Sequence, residues 1–176
     1  MWIWILIIVG VVAVDQVTKQ LAAAFLADGE PFALIPGVFQ FTYVENRGAA
    51  FGMFADHRWI FMVISTLAIV GMVIYLWKFA PESPWAKTAL ALIIGGGIGN
   101  MIDRVYLTYV IDFLDFCAFP NLWVWVFNVA DACVCVGGGI LLTWCVVSMI
   151  TELRAEKAAK RKTAESSAEQ SDSEEN

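Results

Sequence analysis

The stretch Thr88–Arg104 reads TALALIIGGGIGNMIDR. From Thr88 to Gly99 it carries no charge. It then turns polar at Asn100, Asp103 and Arg104. With Val105 and Tyr106 added, the apolar run is long enough to cross a hydrocarbon core of about 30 Å as a helix. Asn100, Asp103 and Arg104 stand three and four residues apart, so they share a face of that helix. The glycines do not form a dinucleotide-binding fingerprint. Asn100 stands where a third glycine would be needed, and no strand precedes the run. Gly95, Gly96, Gly97 and Gly99 therefore read as sites of close helix packing, as do Gly137, Gly138 and Gly139.

Three more apolar segments flank this one. They run over about 2–26, broken only at Asp15, Gln16, Thr18, Lys19 and Gln20, over about 59–77, and over about 122–150, with Asn128 and Asp131 near its start. The expected fold class is an all-α integral membrane protein with four transmembrane helices. The first segment could instead be a signal peptide, but it lacks a basic leading region and its apolar run continues past Asp15 and Lys19. Between the first two segments, Phe39, Phe41 and Tyr43 alternate with polar residues. That pattern predicts short strands outside the membrane. Phe51–Phe54 is apolar and is expected to lie at the interface. Two parts are expected: a four-helix transmembrane body over 1–151 and a disordered, polar, cytoplasmic tail over 152–176.

Composition agrees with the membrane reading. Of the 176 residues, 60% are hydrophobic and 16% charged, with a mean hydropathy of +0.70. A soluble domain has about 45–50% apolar and about 25% charged residues. The net charge of −6 argues against nucleic-acid binding. His57 is the one histidine, so neither a zinc site of the HExxH kind nor a clustered imidazole site can be built. No metal or other cofactor is expected. Cys117, Cys133, Cys135 and Cys145 have no CxxC spacing and read as small apolar residues.

Positive charge sets the orientation. Lys78 and Lys87 lie between the second and third segments, and Arg154, Lys157, Lys160, Arg161 and Lys162 follow the fourth. This bias puts both termini in the cytoplasm and the connections 27–58 and 105–121 outside. At about 1.5 Å per residue, Asp15 lies about 21 Å from the inner end of its helix, Asn100 about 18 Å and Asp131 about 29 Å. The polar groups of three helices thus gather near the outer face. Ionisable groups inside a membrane mark function by default, because their burial is costly.

Local charge sorts the acids. Asp15 has Lys19 one turn away, and Asp103 has Arg104 beside it, so both read as scaffold. Asp112 and Asp131 have no local cation. A pair of such carboxyls can share one proton, one acid polarising a carbonyl and the other activating a water. That is aspartic-protease chemistry, without metal, His or Ser. An ion-coupled transporter is the alternative, with Asp15, Asp103 and Asp131 lining a path. It would favour polar residues through the whole membrane depth, which the inner halves of these segments lack.

Four blocks, in order, resemble the lipoprotein signal peptidase (signal peptidase II) family of bacterial membranes. They are Asp15–Lys19 (DQVTK), Glu45–Gly52 (ENRGAAFG), Gly95–Arg104 (GGGIGNMIDR) continuing to Val110–Phe113 (VIDF), and Phe127–Asp131 (FNVAD). The resemblance covers about residues 1–151, and it implies that the outer 27–58 segment is a small extracytoplasmic β-like cradle with Phe51–Phe54 in a half-helix. It implies an aspartic endopeptidase that cuts diacylglyceryl-modified prolipoproteins just before the lipidated Cys. It maps the catalytic pair onto Asp112 and Asp131. Asn46, Asn100, Arg104 and Asn128 fall at positions that shape the site or hold substrate backbone, Gly48 and Asp103 stand within the same blocks, and Asp15 and Lys19 match the polar pair of the first helix. The implied partners are prolipoproteins, membrane lipid and globomycin-type inhibitors, and the expected state is a monomer in the inner membrane. Ala132 departs from a position where Ser is frequent.

Overall fold

A computed structural model of the chain describes residues 2–48, 58–79, 82–118 and 125–174. Four helices and four strands follow in the order α1 (Trp2–Leu26), β1 (Phe32–Ile35), β2 (Phe39–Asn46), α2 (Arg58–Lys78), α3 (Pro84–Tyr106), β3 (Val110–Phe116), β4 (Val126–Phe127) and α4 (Val129–Glu174). By length and apolar content α1, α3 and the Val129–Lys160 part of α4 can cross a membrane, while the apolar part of α2, Met62–Lys78, is shorter. The protein is thus mostly helical, with several membrane-span candidates and a small sheet. The half-helix expected at Phe51–Phe54 lies outside the described residues.

The helices are polar inside and apolar outside, as a lipid solvent favours. In α1 the buried residues are Asp15, Lys19 and Ala22, which form one stripe, whereas Leu6, Val14, Val17, Leu21 and Phe25 are exposed. In α3 the buried stripe includes Ala89, Gly95, Gly96 and Gly99 as well as Asn100 and Asp103. The glycines let backbones approach. A Cβ on Gly96 would collide with the Ala130 carbonyl of α4, and one on Gly99 would stand 2.5 Å from Asp15 Oδ2 of α1. Close packing, rather than phosphate binding, is therefore what the glycine run provides.

The sheet is more developed than the alternation at 39–43 implied. It has four antiparallel strands in the order β1-β2-β3-β4, so the all-α description is corrected to a helical body with a real sheet. Pro36-Gly37 closes the β1–β2 hairpin, with Gly37 at φ 73° and the Val38 N–H bonded to the Ile35 carbonyl at 2.9 Å. That is the arrangement in which Pro presets the first central residue and Gly supplies the left-handed second. β3 follows α3 after a sharp turn. Leu107 N–H bonds the Asp103 carbonyl at 2.7 Å, and Thr108 takes φ 74°. Ile111 and Phe113 face Ala22, Leu26 and Phe41 in a small core, while Asp112 points to the other face of the strand.

The chain divides into two compact units, Met1–Ile140 and Leu141–Asn176, and all the site residues lie in the first. α4 is helical to Glu174, through the stretch from 152 expected to be disordered. Ala, Glu, Lys and Arg, strong helix formers, dominate 152–162, and Glu156 pairs with Lys160 one turn on.

Candidate active site

The site begins with a buried cation. Lys19 is fully buried in α1. Its ammonium lies 2.9 Å from Asp15 Oδ2 and 3.0 Å from Asp103 Oδ2, and donates to Asn100 Oδ1 at 2.9 Å. Three protons thus meet three acceptors. The acids are held in turn by backbone. Ala130 N–H donates to Asp15 Oδ1 at 2.9 Å, and Ile111 N–H donates to Asp103 Oδ2 at 3.1 Å. Such bonds tie α1 to the start of α4, and α3 to β3.

Asp103 does not pair with Arg104. Consecutive helical residues point in different directions. Asp103 turns to Lys19, whereas Arg104 Nη1 donates to the Asn100 carbonyl at 3.3 Å. Gln16 was not foreseen. Its amide donates to Asp103 Oδ1 at 2.9 Å and to the Gly99 carbonyl at 3.2 Å. Its position between Asp15 and Lys19 in the DQVTK block was the signal available.

Asp112 and Asp131 meet amides instead of cations. Asp112, on β3, is 2% exposed. It accepts from Asn128 Nδ2 at 2.6 Å and from Asn46 Nδ2 at 2.9 Å. Asn46 reaches it because β2 and β3 pair with Val44 opposite Asp112 and Asn46 opposite Val110, which places Asn46 on the diagonal of one sheet face. The Asn46 carbonyl oxygen accepts the Gly48 N–H at 3.1 Å, fixing the amide's direction. Asp131, half-buried, accepts from Asn100 Nδ2 at 2.7 Å and from the Asn128 N–H at 3.2 Å. Asn128 and Asp131 cap the start of α4 reciprocally, since the Asp131 N–H also donates to Asn128 Oδ1 at 2.9 Å.

Asn128 and Asn100 join the two acids. Asn128 Nδ2 donates to Asp112 and also to Asn100 Oδ1 at 3.0 Å, and Asn100 Nδ2 donates to Asp131. Among the described residues, neither Asp112 nor Asp131 forms an ion pair. Burial, reinforced by the Asp131 charge, pushes the Asp112 carboxyl up to about 6, against the lowering effect of the Asn46 and Asn128 donors. Asp115, one turn of the pleat further on, instead accepts from Gln40 at 2.6 Å across the sheet. Among the described residues no cluster of His, Cys, Asp and Glu has the makings of a metal site.

Among the described residues, span-length apolar helices around a polar centre that holds two acids without an ion pair fit a membrane enzyme of the aspartic peptidase class, and the relatives of the chain carry that class. The family model for signal peptidase II matches residues 7–147. The chain belongs to the signal peptidase II family. It is 47% identical over 141 residues to the lipoprotein signal peptidase of Symbiobacterium thermophilum, covering 78% of this chain and 89% of that one. It is 49% identical over 138 residues to the lipoprotein signal peptidase of Caldanaerobacter subterraneus subsp. tengcongensis, covering 78% and 91%. A bacterial membrane enzyme solved by the in meso method at 2.3 Å resolution superposes with a TM-score of 0.78 at 31% identity, over 85% of this chain and 90% of that one.

Proposed function

We propose that Asp112 and Asp131 are the catalytic pair of this lipoprotein signal peptidase, which removes the signal peptide from prolipoproteins. One observation carries the assignment. Among the described residues, Asp112 and Asp131 accept from amide donors and form no ion pair, and the amides that serve them are linked through Asn128 and Asn100. Asp15 and Asp103 are neutralised by Lys19 and fixed by backbone N–H groups.

The chemistry follows from one shared proton. Close carboxyls do not both ionise readily, so the pair keeps one proton to a higher pH than a lone carboxyl would. The protonated acid donates to the scissile carbonyl oxygen. The ionised acid takes a proton from a water whose oxygen bonds to the carbonyl carbon. The tetrahedral diol then collapses, the C–N bond breaks, and the leaving nitrogen takes a proton from the pair. The signal peptide departs with a new carboxyl group, and the Cys keeps a new amine. Asn46, Asn100 and Asn128 hold the carboxyls in place, and Arg104 bonds the Asn100 backbone carbonyl beside them.

The finer setting belongs to the same reading. The protein crosses the inner membrane four times, with both termini in the cytoplasm and the acids near the outer face, as the placement of Lys78, Lys87 and the tail cations supports. The peptidase body is 1–151, and the sheet forms a cradle for an extended, diacylglyceryl-bearing substrate. Globomycin-type peptides would occupy the same cleft of a monomeric enzyme.

Asp112→Asn and Asp131→Asn test the assignment. Each is expected to lower cleavage of a diacylglyceryl prolipoprotein by at least about a hundredfold, the scale of a lost acid or base. Thermal melting in detergent should show that both variants remain folded. Parental turnover in either folded variant overturns the assignment.

A further inference from the structure

A side-chain amide has two unlike ends, and a carboxylate tolerates only one of them. If Asn100 were reversed, its oxygen would face the Asp131 carboxylate. Each acid favours an N–H facing it, and a fixed donor on the oxygen side of Asn100 locks that direction.

We propose that Lys19 is a positioning residue that sets the direction of Asn100 and, through it, of Asn128, so that each carboxylate of the pair receives an N–H donor. The proposal rests on the reading of Asp112 and Asp131 as that pair. An ammonium is a donor with no acceptor. Asp15 and Asp103 take two of its protons, and the third is left for Asn100 Oδ1 at 2.9 Å. With its oxygen held there, Asn100 presents Nδ2 to Asp131 at 2.7 Å. The same oxygen accepts Asn128 Nδ2 at 3.0 Å, so Asn128 turns its amide nitrogen toward Asp112 at 2.6 Å and its oxygen toward the Asp131 N–H at 2.9 Å. Reversal of Asn100 would set donor against donor at Lys19 and acceptor against acceptor at Asp131.

Lys19 is itself unable to turn away. It is fully buried, Ala130 N–H fixes Asp15, and Ile111 N–H and Gln16 fix Asp103. Among the described residues it bonds to neither Asp112 nor Asp131, so its hydrogen-bonded route to them runs through Asn100. Arg104, the other donor-only group nearby, bonds the Asn100 backbone carbonyl instead of its amide.

A double-mutant cycle separates this route from a direct effect of charge or a general loss of structure. Lys19→Met, Asn100→Leu and the double variant are assayed on a diacylglyceryl prolipoprotein, each at its own pH optimum. Lys19→Met should lower kcat about ten- to a hundredfold, the worth of a hydrogen bond to a charged group, with KM unchanged. The double variant should turn over no more slowly than Asn100→Leu alone. Losses that multiply, or a loss carried by KM, overturn the proposal.

Two further variants guard against misfolding. Lys19→Met with Asp15→Asn leaves the net charge of the Asp15–Lys19–Asp103 group unchanged. Asn100→Asp keeps the acceptor for Lys19 and removes the donor to Asp131. Both should lose kcat, and parental kcat in either overturns the proposal. Asp112→Asn and Asp131→Asn in the same assay distinguish the two levels. If they still cleave, the assignment of the pair fails. If they are inactive while the Lys19 and Asn100 losses multiply, the positioning role alone fails.

Discussion

Asp112 shows how a single carboxyl is tuned by neutral neighbours. Burial and the Asp131 charge raise its pKa to about 6, and the amides of Asn46 and Asn128 hold it back from rising further. Removing one donor to the ionised form should raise it again. Asn46→Ala is therefore expected to move the Asp112 titration upward, measured as the midpoint of the carboxyl band in infrared difference spectra. Stability carries a matching sign. The folded pKa lies above the ordinary value of 3.8, so the folded state binds this proton more tightly. The stabilisation from Asp112 is full below that ordinary value and is lost as pH rises through about 6. Sequence separated Asp112 and Asp131 from Asp15 and Asp103 by their lack of a nearby cation. It could not foresee the partner of Asp103, because Arg104 is adjacent in the chain yet turned away, whereas Lys19 comes from another helix.

At the scale of elements, the contacts between helices depend on where a side chain is missing. A Cβ on Gly96 would meet the Ala130 carbonyl, a backbone atom that cannot rotate aside. Gly96→Ala should destabilise by about 1–3 kcal/mol, as overpacking does, and lower the melting temperature. Nothing lies within 4 Å of a Cβ on Gly138, so Gly138→Ala should be neutral or slightly stabilising by helix propensity. The four apolar segments and the β2 strand were legible from periodicity. β3 was not, because Val110, Ile111, Asp112 and Phe113 are all buried. A strand covered on both faces shows no alternation of polar and apolar residues. The Asp112 carboxyl thus sits on the strand that patterning could not reveal.

The whole molecule separates a hydrophobic scaffold from a small polar centre. Asp15, Lys19, Asn46, Asn100, Asp103, Asp112, Asn128 and Asp131 come from α1, β2, α3, β3 and the start of α4, and all fall within Met1–Ile140. A chain ending at Thr151 should therefore cleave prolipoprotein at the parental kcat. Turnover by the purified truncated protein checks this. That polar residues of α1, α3 and α4 would meet was legible from helix length and spacing. The amide links between them were not, since hydrogen-bond partners far apart in sequence leave no spacing signal.

The cap at the start of α4 has a consequence for how the enzyme comes into being. The bonds that begin this helix also hold the Asp131 carboxyl, and Ala130 bonds back to Asp15 near the opposite end of the chain. A ribosome delivers these partners far apart in time, with Asp131 last. On the proposed assignment a half-made chain lacks one acid of the pair, so hydrolysis waits until the start of α4 has joined α1.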